Sequence, residues 1–281
     1  ISDVFSLMPK EVGDMLQSYN TKGKVNGTIE SINEKRKKTP KINVDFAVNN
    51  GSITENSSGV TLSELLLKGS FNTNAGTQRL ELMEGGGNLE GGRFTITGKV
   101  LGKQTQTIFS SIRGQFDLQK LGDFLSLEEV ETMNGTLILN NQFAGTVKTN
   151  NTINVSEFTG TAKLNNAGLK LKENEGEFSN FSGDVQFNRF TSNANFTGAY
   201  DKSDISISTQ FTNIIPYLFY GNELNANVYL QSKLLELDKL MGNSQETSNQ
   251  EADTIGVKLP TKINATLSTK INKLVYQKHV L

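Results

Sequence analysis

Few residues in this chain have side chains that could carry out chemistry. It contains one histidine, His279, near the end of the sequence, and it has no cysteine. The absence of cysteine excludes disulfides, thiolate metal sites and cysteine nucleophiles. His279 stands alone, whereas a Ser-His-Asp triad or a histidine metal site needs several partners held together. The sequence therefore predicts no catalytic residue and no metal ligand of these types.

Two further segments resemble binding motifs only in part. The segment Gly85–Gly92 reads GGGNLEGG, but it lacks the Gly-Lys-Ser/Thr of a phosphate loop, and a strand pattern follows it rather than a helix. Asp201 and Asp204 flank a turn pattern, without the additional oxygen ligands of a calcium loop. We therefore expect a glycine-rich link at residues 84–92, a hairpin turn at 201–204, no cofactor and no enzymatic activity.

The elements that would position any site are strands. From Phe158 to Phe211, apolar residues fall on every second position of short runs. Successive side chains of a strand point to opposite faces, so each run makes one apolar face and one polar face. Asparagine- and glycine-rich groups separate the runs and predict hairpin turns at Asn49–Gly51, Asn165–Gly168 and Glu173–Gly176.

Short helices are predicted where the alternation breaks. Residues 1–20 place Met8, Val12, Met15 and Leu16 on one helical face. Residues 117–125 predict a helix with Asp117 as its N-cap. Two more short helical segments are expected at 213–220 and 234–241.

The domain organisation follows an internal repeat with an offset of about 115 residues, which relates Gly69 to Gly183. We expect a first β module with the N-terminal helix over residues 1–130 and a second module over 131–242. Residues 243–256 are polar and low in complexity, which is typical of a disordered loop. Residues 257–281 read as the start of a further β segment.

Roughly 16 strands are expected, and a sheet of more than about ten strands curls, splits or closes. The predicted fold is mainly β: a long, antiparallel, curved, groove-like sheet built from repeated multi-stranded modules, with a few short helices. The alternation leaves two arrangements open. The apolar face packs on itself in a closed sandwich, or it lines a groove that another molecule covers.

Several segments resemble the C-terminal region of the AsmA-like family of Gram-negative envelope proteins, which is related to TamB and YhdP. They are FTGTAKLNNAGLKLK, FSNFSGDVQFN, NIIPYLF and FSSIRGQFDLQKLGDFL, and the resemblance covers about residues 1–242. It implies a hydrophobic β-groove that carries phospholipid between the inner and outer membranes, in the periplasm. It also implies an inner-membrane anchor, which would lie outside this fragment because no apolar run reaches the ~18 residues of a spanning helix.

The expected function is therefore a non-enzymatic lipid conduit that supports outer-membrane biogenesis. Its expected partners are phospholipid acyl chains and components of both membranes; the net charge of −1 gives no reason to expect nucleic acid. The alternative is a structural or adhesive β-sandwich module with a closed core. The residues expected to line the groove are Val44, Phe46, Phe94, Ile96, Leu164, Leu169, Leu171, Val185, Phe187, Phe196, Ile205 and Ile207.

Overall fold

The structure is a computed structural model that describes residues 17–33, 40–74, 77–148, 153–172, 176–237, 262–276 and 279–280. The helix predicted on Met8, Val12, Met15 and Leu16, the turn at residues 173–175 and the polar loop at 243–256 lie outside these residues.

Sixteen strands occur in the described residues. In chain order they are β1 (Tyr19–Ile32), β2 (Lys41–Glu55), β3 (Thr61–Asn74), β4 (Thr77–Leu89), β5 (Gly92–Leu101), β6 (Thr105–Asp117), β7 (Val130–Lys148), β8 (Ile153–Leu171), β9 (Glu177–Phe187), β10 (Thr191–Tyr200), β11 (Ser203–Thr212), β12 (Leu224–Ser232), β13 (Leu235–Glu236), β14 (Ile263–Ile271), β15 (Leu274–Tyr276) and β16 (His279–Val280). Two short helices accompany them, α1 (Leu118–Leu125) and α2 (Ile214–Tyr220).

Thirteen strands form one sheet that does not close, in the order β1 to β12 followed by β14, and β13, β15 and β16 form a small second sheet. The prediction of a mainly β protein with a long sheet and few short helices is confirmed. The sheet is mixed rather than wholly antiparallel, because β14 pairs with β12 in parallel. Parallel neighbours need a crossover connection, and alternation within one strand does not reveal strand direction.

The chain divides into two compact units. Unit 1 comprises residues 1–126 and 138–160, and unit 2 comprises residues 127–137 and 161–281. Unit 1 contains β1 to β6 and α1, whereas unit 2 contains β9 to β16 and α2. Parts of β7 and β8 belong to each unit.

The helices predicted at 117–125 and 213–220 are both present, and α1 begins at its predicted capping residue. The Asp117 carboxylate accepts a 3.0 Å hydrogen bond from the backbone N–H of Lys120, as an N-cap residue does. In unit 2, α2 follows Asn213, which is left-handed at φ 64°, and Gly221 ends the helix at φ 65°. The helix expected at 234–241 is wrong at Leu235 and Glu236, which form strand β13, and residues 238–241 lie outside the described residues.

Three segments with turn composition lie inside strands instead. Asn49–Gly51 is in the middle of β2, Asn165–Gly168 is within β8, and residues 84–89 of the glycine-rich link continue β4. Only Glu90 and Gly91 make the turn to β5. Asn50 and Asn166 are left-handed, with φ of 52° and 48°, and the register of β2 against β3 shifts at Asn50. The turns predicted at Asn49–Gly51 and Asn165–Gly168 were therefore wrong. The residue types misled because a β-bulge, like a turn, suits a residue that tolerates a left-handed backbone.

Candidate functional site

The strand register gathers the predicted lining residues of unit 1 on one face. Directly opposed residues of paired strands direct their side chains to the same side of a sheet. Following the pairs across β1 to β6 therefore places Val44, Phe46, Phe94 and Ile96 on a common face. We call this surface the unit-1 apolar face; its larger apolar members are Val25, Ile29, Ile42, Val44, Phe46, Val48, Leu67, Phe71, Leu80, Leu82, Phe94, Ile96, Val100, Ile108 and Ile112.

The opposite side of the same strands is polar. Asn43 there donates a 3.0 Å hydrogen bond to the Glu30 carboxylate, and Arg113 donates one of 3.0 Å to Asn140. Between the levels of Ile42 and Val48, the residues that the register places on the unit-1 apolar face include no Lys, Arg, Asp or Glu. The charged side chains of β2 to β6 in this stretch lie on the other face: Asp45, Lys68, Arg79, Glu81, Glu84, Lys99 and Arg113.

Burial varies along the unit-1 apolar face. At the end near α1, Val48, Leu65 and Phe116 are fully buried. Helix α1 is held there by Tyr19, whose hydroxyl donates a 2.9 Å hydrogen bond to the Phe124 carbonyl. Toward the other end the face is less covered, and Leu80 is 44% exposed. The dry core of unit 1 thus occupies one end of its strands, and apolar side chains continue beyond it.

Unit 2 has the same two-sided construction. The register places Val185, Phe187, Phe196, Ile205 and Ile207 on one face. We call it the unit-2 apolar face, which also carries Phe178, Phe181, Ala194, Tyr200, Phe211, Ala226, Val228, Leu230, Ile263, Leu267 and Ile271. The side of these strands opposite to the unit-2 apolar face carries polar residues, among them Gln186, Asn193, Asn195, Ser208, Gln210, Asn227 and Lys270.

The three predicted leucines of β8 follow the parity of their strand. Leu164 is half-buried next to the exposed Lys163. Leu169 and Leu171 flank Lys170, whose amine donates a 2.8 Å hydrogen bond to the Glu131 carboxylate. Apolar positions thus change from even to odd numbers within one strand, and the left-handed Asn166 lies between them.

Eleven of the twelve predicted lining residues are half-buried, and Ile205 is fully buried. A residue in a dry protein core touches neighbours on all sides and is nearly inaccessible to water. These eleven side chains instead keep part of their surface exposed. Each apolar face can therefore still gain by contact with a further apolar molecule.

Aromatic rings on both faces lie against glycines of the neighbouring strand. A Cβ atom added at Gly69 would lie 2.6 Å from the Phe46 ring, and one at Gly183 would lie 2.5 Å from the Phe196 ring. The space that these glycines leave is filled by the rings, which cover strand backbone. The alternation did not predict this pairing, because it depends on which residues oppose each other across strands.

Sequence reasoning also missed Glu55, a carboxylate buried at the end of β2. Its Oε2 accepts hydrogen bonds from the N–H and hydroxyl of Ser57, at 2.9 and 2.7 Å, and from the N–H of Ser58 at 2.6 Å. The bond from the Ser58 backbone and the bond from the Ser57 hydroxyl are the main causes that lower the pKa of Glu55 to about 2. The signal in the sequence was the Glu-x-Ser-Ser order at a hairpin, and its role is to close the β2–β3 turn.

The other carboxylates singled out have structural partners. Asp201 accepts a hydrogen bond from the Glu177 N–H, and Asp204 accepts hydrogen bonds from the backbone of Lys233 and Leu234 at 2.9 Å. Both residues border the β10–β11 turn, as predicted. No group of three or more His, Cys, Asp or Glu side chains in the described part of the chain could hold a metal ion. His279 lies in β16.

The fold and its faces define a mainly β protein with one large open sheet and an apolar face in each unit. No protein-family model, curated protein or solved structure matches the chain. The resemblance to AsmA-like proteins therefore stays a prediction. Within the described ranges, no helix has both the length and the apolar character needed to cross a membrane.

Proposed function

We propose that this protein binds phospholipid acyl chains on its apolar faces and conducts lipid between the inner and outer membranes, without catalysing a reaction. One observation carries the proposal. In each unit, adjacent strands present a face of large apolar side chains, many of which are half-buried, while most positions on the reverse are polar.

The driving force would be the hydrophobic effect. Removing a methylene from water stabilises the bound state by about 0.8 kcal/mol, so covering ten methylenes contributes on the order of 8 kcal/mol before the costs of ordering the chain. In the middle of the unit-1 apolar face the strands contribute no charge that would hold a lipid head group at one point. Strong attraction without fixed polar anchors suits a surface along which lipid moves.

The cellular setting follows from the resemblance. We propose a periplasmic location, with an inner-membrane anchor in a segment outside this fragment, and partners in both membranes. The curved, groove-like form of the sheet belongs to the same proposal.

The decisive test is the lipid content of the purified chain. We would express it in a Gram-negative periplasm and quantify phospholipid in organic extracts by mass spectrometry. The variant Phe187→Asp places a charge on the unit-2 apolar face, and Gln186→Asp places the same charge on the adjacent, exposed position of the opposite face. Loss of lipid in Phe187→Asp alone, with circular dichroism unchanged for both, is the expected result.

Equal lipid content in both variants would show that the apolar face does not hold lipid. Folded wild-type protein without lipid would favour the structural or adhesive module with a closed core. Conduction has its own assay: the wild type should speed transfer of a fluorescent phospholipid between donor and acceptor vesicles, and Phe187→Asp should slow it.

A further inference from the structure

One end of unit 2 exposes a cluster of large apolar side chains. Phe190, in the turn between β9 and β10, is 69% exposed, and Leu218 and Tyr220 in α2 are 59% and 45% exposed. We call these three residues the apolar tip. Thr191 pairs with Thr212, and Thr212 pairs with Asn225, so the turn and the helix leave the sheet at the same end. Adjacent strands are about 5 Å apart, which brings the turn close to the helix.

Helix α2 is apolar on its inner side and on its outer side. Ile215 is only 2% exposed, and Ala226 of the neighbouring strand is 6% exposed. Ile214–Tyr220 reads IIPYLFY and contains no charged residue. A surface helix of a globular protein normally presents polar or charged side chains to water. The outward Leu218 and Tyr220 therefore point to a partner that is apolar.

The charges around the apolar tip are few and mainly basic. The Arg189 guanidinium carbon lies 5.5 Å from the centre of the Phe190 ring. The Lys262 amine donates a 2.8 Å hydrogen bond to the Gly221 carbonyl, and Glu223 is the acidic residue of this end. Aromatic and aliphatic side chains beside basic groups are typical of surfaces that enter the interface of a phospholipid bilayer.

We propose that the apolar tip docks unit 2 on a bilayer surface. Phe190 and Leu218 enter the boundary between head groups and acyl chains, Tyr220 lies at the level of the head groups, and Arg189 and Lys262 face lipid phosphates. Phe187 and Phe211 of the unit-2 apolar face lie near this end. The inference rests on the proposed function, since a bilayer at this end would let acyl chains reach the face without crossing water.

The test is flotation of the full 281-residue chain with vesicles of phosphatidylcholine alone or mixed with phosphatidylglycerol. The double variant Phe190→Asp/Leu218→Asp should bind at least about tenfold more weakly, because two apolar side chains that would enter the bilayer are lost. Tyr229→Asp/Gln210→Asp is the matched control: it puts the same two charges on exposed residues of the polar face. Arg189→Gln should weaken binding by roughly fivefold on the anionic vesicles only.

Unchanged vesicle binding by the double variant, or no binding by the wild type, would overturn the docking proposal. Concentration-dependent dimerisation that the double variant abolishes, without vesicle binding, would assign the tip to a second copy instead. The milder Phe190→Ser, in an exposed turn, serves if the double variant does not fold. Two readouts separate the two proposals: Phe187→Asp should lose the phospholipid held on the unit-2 apolar face and still float with vesicles, whereas the tip variants should fail to float.

Discussion

Among single residues, Glu55 shows how one carboxylate fixes a turn between long strands. The backbone N–H groups of Ser57 and Ser58 and the Ser57 hydroxyl all donate to the same carboxylate oxygen. Bonds to the charged form stabilise it, which is why the pKa of Glu55 falls to about 2 from the ordinary 4.5. The β2–β3 connection thus depends on an ionised group that sequence patterns did not reveal.

The stability that Glu55 contributes should depend on pH with a defined sign. A depressed folded-state pKa contributes stability that is present above pH 4.5 and is lost as the pH falls toward 2. We expect Glu55→Gln to have a lower Tm than the wild type at pH 7 and the two Tm values to converge between pH 4.5 and 2. Thermal melts across this range measure the difference, with Glu64→Gln, an exposed carboxylate on β3, as control. A Tm gap that persists at pH 2 would contradict this account.

Among the elements, the strands carry the same irregularities at the same places in both units. The interval from Asn50 to Asn166 equals that from Glu64 to Asn180, and all four residues are left-handed. Register shifts accompany three of them, Asn50, Glu64 and Asn180. The interval is within two residues of the spacing of Gly69 and Gly183, so the repeat in the sequence is accompanied by a repeat of backbone geometry.

The conformation of Asn180 makes a prediction for β9. Its φ of 53° is unfavourable for a β-branched residue. We expect Asn180→Val to destabilise the fold by about 1–2 kcal/mol, whereas Asn180→Gly should stay within about 1 kcal/mol of the wild type. Urea denaturation measures both. Asn193→Val, on the extended strand β10 of the same sheet, is the control and should be close to neutral. If valine at 180 is also neutral, the left-handed conformation is not held by the fold.

These irregularities also explain which features of the structure could be predicted from the sequence and which could not. Alternation placed Val44, Phe46, Val185 and Phe187 on apolar faces correctly, because side-chain parity depends only on local extended backbone. Asn50 and Asn166 were assigned to turns, since a bulge and a turn both select residues that tolerate positive φ. The parallel pairing of β14 with β12 and the exposed tip on α2 depend on contacts between distant segments, which parity does not encode.

At the scale of the whole molecule, each unit carries an apolar face of its own. The unit-1 face runs across six strands, and the unit-2 face runs across β9 to β12 and β14. If the two faces bind lipid as proposed, their apolar side chains make the hydrophobic effect the common driving force. Each face should then contribute its own share to the total lipid content.

We expect lipid loss to add over the units. Ile96→Asp charges the unit-1 apolar face and Phe187→Asp charges the unit-2 apolar face, so each should remove only part of the phospholipid that copurifies, and the double variant should remove nearly all of it. Losses at two sites add when the sites do not couple, which is the expectation for two faces that bind lipid independently. Thr97→Asp and Gln186→Asp, on the polar faces, are the matched controls and should keep the wild-type amount. Native mass spectrometry counts the lipids per chain in each variant. If either single variant empties the protein completely, the two faces do not bind lipid independently, and the additive description is wrong.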